Sequence, residues 1–67
     1  MPKLFSSKQV IKILTENDFI FISQKGSHQK FHKDNLTVIV PANKREIPVG
    51  TLRSIIRQSG LPQDLFE

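Results

Sequence analysis

The stretch "FIFISQKGSHQKFHKDNLTVIVP", residues 19–41, contains three short β-prone runs in succession. "FIFIS" opens at Phe19, "SHQKFH" follows the break at Gly26, and "LTVIV" is ended by Pro41. Ile, Val and Phe favour strands, whereas the glycine and the Asp-Asn pair between the runs favour turns. Three consecutive strands joined by turns predict an antiparallel meander.

An amphipathic helix is predicted before the meander. Ser6 and Gln9 have the spacing of a capping box, in which the two side chains satisfy the free N–H groups at a helix start. Apolar residues then recur at the spacing of one helical face, and an Asn-Asp pair suited to a turn follows. The pattern predicts a helix from about Ser7 to Glu16.

A second helix is predicted after the meander. Pro48 suits its first position because an N–H there would have no helical partner, and Gly60 is the expected left-handed stop. One further turn is expected from Pro62, held in place by Leu65 or Phe66. The order α-β-β-β-α predicts an α+β fold, with two helices on one face of a three-stranded antiparallel sheet and the other face open.

Length and composition limit the class of protein. The 67 residues have room for one small domain, predicted to span residues 1–67. Without cysteine there are no disulfides or thiolate-bound zinc, which favours a reducing, cytoplasmic location, and the apolar runs are too short to cross a membrane. Ten Lys and Arg against six Asp and Glu give a net charge of +4, which favours phosphate-rich partners, although extra lysines also serve solubility.

Alternation along the second strand separates its side chains into two sets. Phe31 and Gln29 are predicted to point towards the helices, because successive strand residues face opposite sides of a sheet. The open face is then expected to carry His28, Lys30 and His32, beside Lys25 and Lys33. Such a group suits a phosphodiester; the alternative is that it is only the solvated side of a half-buried sheet.

Apolar residues are also expected outside the helix layer. "FIFI" is apolar at both alternating positions, and Ile39 points away from its strand neighbours. An exposed apolar patch with a polar rim is typical of a protein interface, so a protein partner or self-association is one interpretation. The alternative is that the second helix and the final turn cover the patch.

Metal and nucleotide chemistry receive no support from the residue spacing. The carboxylates are scattered singly, without the pairs that hold Mg²⁺. His28 and His32 lie four residues apart on a strand, so about 13 Å separates their Cα atoms, which is too far to share one metal ion. Because the chain has neither a GxxxxGK[ST] nor a GxGxxG loop, nucleotide hydrolysis is not predicted. The sequence therefore predicts neither a metal nor a cofactor.

An imidazole among lysines suits proton transfer on RNA. RNA carries its own nucleophile, the 2′-hydroxyl, so an enzyme needs a base, a cation for the phosphorane charge and a proton donor for the leaving 5′-oxygen. His28 and Lys30 are candidates for the first two roles. Ser27 as a covalent nucleophile is the competing idea, but neighbours on a strand point to opposite faces and no orienting carboxylate is evident.

Three segments together match one known family. They are the helix that ends before Phe19, the stretch "KGSHQKF" at residues 25–31, and "VGTLRSIIRQSGL" at residues 49–61. The last two match a Gly-Ser-His signature and a Gly-Thr-Leu-Arg-x-Ile helix. By these segments the chain resembles the HicA toxins, also called the YcfA-like family, over nearly its whole length.

The resemblance implies a fold, an activity and a partner. The fold would be similar to double-stranded RNA-binding domains, and the activity would be that of an mRNA interferase, a ribonuclease toxin that cleaves mRNA and arrests translation. Family members sit beside a HicB antitoxin that masks the active site, so a toxin–antitoxin hetero-oligomer is expected, with a homodimer as the alternative.

The resemblance also places the candidate site. The family's histidine corresponds to His28, with its glycine and serine at Gly26 and Ser27, whereas Asp18 stands where the family often has glycine. Lys44 and Arg45 partly replace a lysine cluster that double-stranded RNA-binding domains carry. The residues predicted to contact RNA are Lys25, Gly26, Ser27, Lys30, His32, Lys33, Lys44 and Arg45.

Three functions therefore follow from the sequence. The first is a metal-independent endoribonuclease toxin with His28 as its catalytic acid or base. A non-catalytic RNA-binding domain is the alternative, since it needs the same charge and fold. In the third, the exposed apolar strand face serves only for docking another protein.

Overall fold

The computed structural model describes residues 4–66 and has the predicted α-β-β-β-α order. Its elements are α1 (Ser7–Glu16), β1 (Ile20–Lys25), β2 (His28–Lys33), β3 (Leu36–Pro41), α2 (Val49–Ser59) and a 3₁₀-helix (Gln63–Phe66). The strands form one antiparallel sheet in the order β1-β2-β3, with both connections short. The α+β fold class is therefore confirmed.

The capping box at the start of α1 is confirmed. The Gln9 N–H donates to the Ser6 hydroxyl at 3.1 Å, and the Ser6 N–H donates to the Gln9 side chain at 2.9 Å. After Asn17 caps the other end, Asp18 adopts a left-handed conformation with φ of 72°. Asp tolerates this conformation better than most residues, so the position that often holds glycine in the family still makes the turn.

The first strand differs from its prediction by one residue at the start and two at the end. Phe19 is buried and its N–H donates to the Leu14 carbonyl at 3.0 Å, so it belongs to the turn that ends α1. The strand then runs to Lys25, where Gly26 and Ser27 make a two-residue turn. Gly26 has a φ of 60°, a left-handed conformation that glycine adopts without strain, and this conformation rather than lack of space favours glycine there, since a Cβ would meet no atom within 4 Å.

The second helix begins one residue later than predicted. Pro48 is its N-cap with an extended ψ of 144°, and its carbonyl accepts the first helical bond, from the Leu52 N–H at 2.9 Å. Gly60 ends the helix in the left-handed conformation, as predicted. Of the two candidates for anchoring the last turn, Phe66 is the buried one, with its ring centroid 6.2 Å from that of Phe5, whereas Leu65 is exposed.

The core lies between the two helices and one face of β2 and β3. Its members are Phe5, Val10, Leu14, Phe19, Phe31, Val38, Val40, Ile47, Leu52, Ile55 and Phe66. Both helices pack mainly over β3, and every residue of β1 is exposed. The sheet therefore has one free apolar edge at β1. Neither helix among residues 4–66 is long and apolar enough to cross a membrane.

Candidate functional site

The face of the sheet that points away from the helices is built from three cross-strand rows. In the order β1, β2, β3, the rows are Lys25, His28, Pro41; then Ser23, Lys30, Ile39; then Ile20, His32, Thr37. We call these nine residues the open face. None of the nine is acidic, so the open face combines positive charge with two exposed apolar side chains, Ile20 and Ile39.

His28 occupies the corner of the open face where β2 begins. It is exposed and lies directly opposite Lys25, a pairing that brings Cβ atoms to about 4.5–5.5 Å. Lys30 follows on the same face, about 7 Å along the strand. Among residues 4–66 nothing forms a hydrogen bond with the His28 ring. The imidazole can therefore contact a ligand without first breaking an internal bond.

His32 shares the open face but is held differently. Its Nδ1 lies 3.2 Å from the Thr37 hydroxyl, and the side chain is half-buried. The strand rise separates it from His28 by about 13 Å, so the two imidazoles do not reach one phosphate together. Within the described chain, no three His, Asp or Glu side chains are grouped so that they could hold a metal ion.

Two grooves flank His28. The first, of about 440 Å³, separates β3 from α2; its lining includes His28, Ile39, Lys44, Thr51, Ser54, Ile55 and Gln58. We call it the α2 groove. The second, of about 380 Å³, lies across the strands; its lining includes Ser23, Lys25, His28, Lys30 and Ile39, and we call it the lysine groove. A chain-like ligand crossing at His28 would enter both.

The loop that carries Lys44 and Arg45 is tied to the rest of the fold by backbone and hydroxyl groups. The Ala42 N–H donates to the Ser27 carbonyl at 2.6 Å, which fixes the loop to the turn before His28. The buried Ser7 hydroxyl donates to the Pro41 carbonyl and accepts from the Lys44 N–H at 2.9 Å. The loop is thus pinned to α1, which brings Lys44 to the α2 groove, while Arg45 is exposed beyond it.

Lys33 is not on the open face, so that part of the sequence prediction is wrong. In the strand register it shares the side of Phe31 and pairs with Leu36. Its Nζ lies 5.9 Å from the centroid of the Phe19 ring, a cation–π distance. Lys33 is five residues from His28, and an odd separation along a strand places two side chains on opposite sides of the sheet. The predicted contact of Lys33 with RNA stays a prediction.

Two groups at the site had not been predicted from the sequence. Ser7 resembles any polar residue in the first turn of a helix, and nothing in a single sequence shows that its hydroxyl bridges to a loop. Thr51, Ser54 and Gln58 recur at helical spacing, so periodicity places them on one face of α2. That this face borders the sheet edge depends on how the helix packs, which periodicity does not give.

The fold and the open face define a class: a small α+β domain that presents one unbonded imidazole between lysines on a bare sheet face. Comparison with family models then gives the particular family. The model for the HicA toxin of bacterial toxin-antitoxin systems matches residues 7–61, from the start of α1 to just past α2. The chain belongs to the HicA toxin family, and it is a toxin of a toxin–antitoxin system. A search of curated proteins returns no match.

Proposed function

We propose that the chain is a metal-independent endoribonuclease that cleaves mRNA and so arrests translation. The observation that carries the proposal is the position of His28, which is exposed, has no hydrogen bond to residues 4–66, and lies beside Lys25 and Lys30. Membership of a toxin family supports a growth-arresting activity. The positive open face supports a polyanionic substrate.

The proposed reaction uses the 2′-hydroxyl of RNA as the nucleophile. His28 accepts the hydroxyl proton while the 2′-oxygen attacks the neighbouring phosphorus. The ammonium groups of Lys25 and Lys30 stabilise the negative charge that develops on the phosphorane oxygens. The bond from phosphorus to the 5′-oxygen then breaks, and this oxygen takes a proton from water or a lysine. The products are a 2′,3′-cyclic phosphate and a 5′-hydroxyl end.

The remaining predicted residues have supporting roles in this proposal. Gly26 and Ser27 form the exposed turn before β2, and in this proposal the turn lies beside the substrate. His32 and Lys44 contact neighbouring nucleotides from the third row and from the α2 groove, with Arg45 further along the same loop. The domain spans residues 1–67 and acts in the cytoplasm.

The partner proposed for the free toxin is a HicB-like antitoxin that covers the open face. Ile20 is 60% exposed and Ile39 37% exposed, and both lie on the same face as His28. Apolar side chains beside cations suit a protein partner with an apolar centre and acidic rim. Covering this face would block access to His28, which accounts for inhibition.

The test compares purified wild type with His28→Gln on a defined RNA in EDTA. Wild type should produce fragments with 5′-hydroxyl ends, and His28→Gln should lose at least about a hundredfold in rate, as for loss of a general base. RNA with a 2′-O-methyl group at the cleavage site should stay intact. If His28→Gln cleaves as fast as wild type, the catalytic assignment is wrong.

His32→Gln is the matched control because it makes the same chemical change on the same face. It should weaken RNA binding modestly while leaving the rate at saturating RNA within a few-fold of wild type. The non-catalytic alternative predicts a different pattern, namely RNA binding that weakens with salt and no fragments from any variant. Both purified variants should keep an unfolding midpoint close to that of wild type, since His28 is exposed and the half-buried His32 makes a single side-chain hydrogen bond.

A further inference from the structure

The α2 groove joins apolar and polar surfaces directly beside His28. Ile39, Pro41, Pro48 and Ile55 supply its apolar lining, and Thr51, Ser54 and Gln58 supply hydroxyl and amide groups from one face of α2. Its volume of about 440 Å³ falls in the range of about 300–1,000 Å³ that is typical of small-molecule pockets. A few polar groups over an apolar surface suit a flat heterocycle better than a bare phosphate.

The polar groups of the groove have unused hydrogen-bonding capacity. The Gln58 Oε1 accepts from the Ile39 N–H at 3.2 Å, which fixes the amide at the edge of β3 and leaves its Nε2 without a partner among residues 4–66. The Thr51 hydroxyl likewise has no hydrogen-bond partner within the described chain. The Ser54 hydroxyl donates to the Gly50 carbonyl at 3.3 Å and can still accept.

The groove is continuous with the proposed cleavage site. His28 and Ile39 line both the α2 groove and the lysine groove, so they form the ridge between them. Lys25 and Lys30 lie on one side of this ridge, and Lys44 is the cation on the other. A strand whose reacting phosphate lies at His28 would have its charged backbone near the lysines and could turn one base into the α2 groove.

We propose that the α2 groove binds one unpaired nucleobase next to the reacting phosphate, and that Thr51 and Gln58 set the base preference of cleavage. The proposal rests on the proposed ribonuclease function and names the part of the substrate that this groove recognises. An unpaired base offers its Watson–Crick edge to a protein, whereas in an RNA duplex that edge is paired and the major-groove edge lies in a deep, narrow groove. The substrate class is therefore single-stranded RNA or a loop.

The first experiment maps cleavage ends in an RNA pool with a randomised segment. Wild type should show a base preference at one position beside the cut. Thr51→Val and Gln58→Leu should each lower that preference about tenfold, the effect of losing one hydrogen bond. Gln63→Leu, the same change at an exposed position outside the groove, is the control and should keep the wild-type preference. An unchanged preference in both groove variants overturns the proposal and leaves the ribonuclease function standing.

The second experiment does not depend on cleavage. Uncleavable 2′-O-methyl tetranucleotides, one set for each base, are titrated into ¹⁵N-labelled wild type and followed by NMR. The amides of Ile39, Thr51 and Gln58 should shift, with an affinity that differs among the four bases and falls in Gln58→Leu. Shifts confined to Lys25, Lys30 and their neighbours overturn the base site. If the shifts in the groove depend on the base but no RNA is cleaved, the base site is supported and only the proposed ribonuclease activity is contradicted.

Discussion

At the scale of single residues, two phenylalanines in one cross-strand pair have opposite environments. Phe31 of β2 is 2% exposed and Phe21 of β1 is 53% exposed, although their ring centroids are only 5.8 Å apart. Both point to the helix side of the sheet. The helices pack mainly over β3 and not over β1, so only the inner ring is enclosed.

Phe31→Ala should lower the free energy of unfolding by about 3–5 kcal/mol, because it removes a fully buried ring and leaves a cavity. Phe21→Ala, the matched control, should lower it by only about 1–2 kcal/mol, since half of its surface is already in water and it keeps one edge-to-face contact with Phe31. Urea denaturation followed by circular dichroism measures both. Equal losses for the two variants would contradict the placement of the helices.

His28 and Lys33 show that alternation along a strand determines which face of the sheet each side chain occupies. The prediction that His28, Lys30 and His32 share one face is confirmed by the register of β2 with its neighbours. By the same alternation Lys33, which is an odd number of residues from His28, lies on the other face of the sheet. Its predicted place on the open face is therefore wrong. The side of each β2 residue was thus available from the sequence.

At the scale of elements, the start of α1 is attached to the loop after β3 through both the backbone and the buried hydroxyl of Ser7, whose N–H donates to the Lys44 carbonyl at 2.8 Å. Ser7 bonds both the Pro41 carbonyl and the Lys44 N–H, while the neighbouring Ser6 serves only the helix start. The two adjacent serines therefore have different structural roles. One caps a helix, and the other fixes the loop that brings Lys44 to the α2 groove.

Ser7→Ala should lower the free energy of unfolding by about 1–3 kcal/mol, because it leaves backbone groups without their buried partner. Ser6→Ala should lower it by about 1 kcal/mol through loss of the cap. Amide hydrogen exchange separates the two effects: exchange at Lys44 should speed up in Ser7→Ala and stay close to wild type in Ser6→Ala. Unchanged exchange at Lys44 in Ser7→Ala would show that the loop is held by other contacts.

The helices and strands could largely be predicted from the sequence, whereas the way they pack against one another could not. Local chemistry determines the capping box at Ser6 and the left-handed stop at Gly60, so both were predicted at the right residues. The α2 groove depends on where a helix packs across the sheet edge. That position follows from the combined shapes of core side chains far apart in the chain, which periodicity does not contain.

At the scale of the whole molecule, the positive charge relevant to the proposed RNA binding is the part on the open face. The net charge of +4 is spread over the chain, but Lys25 lies in the same row of the open face as His28, and Lys30 lies in the next row. Lys12, in contrast, is an exposed residue of α1, on the helix side. Total charge and local charge can therefore be separated by substitution.

The salt dependence of RNA binding should report this separation. For single-stranded RNA, each neutralised phosphate contributes about 0.7 to the slope of log affinity against log salt concentration. Lys25→Ala and Lys30→Ala should each reduce the slope by about that amount, and Lys12→Ala should leave it close to wild type. Fluorescence anisotropy with a 2′-O-methyl RNA between 50 and 200 mM salt, a range over which such contacts are resolved, measures it. Equal slopes for all three variants would argue against binding at the open face.

The free edge at β1 has a consequence for handling the protein. Ile20, Phe21 and Ile22 are consecutive and exposed, and an outer strand keeps backbone groups free to pair with another strand. Such an edge is a template for aggregation, which charged residues at its end, such as Lys25, oppose only locally. The isolated chain is expected to precipitate as it is concentrated, and co-expression with a covering partner is expected to raise the yield of dispersed material.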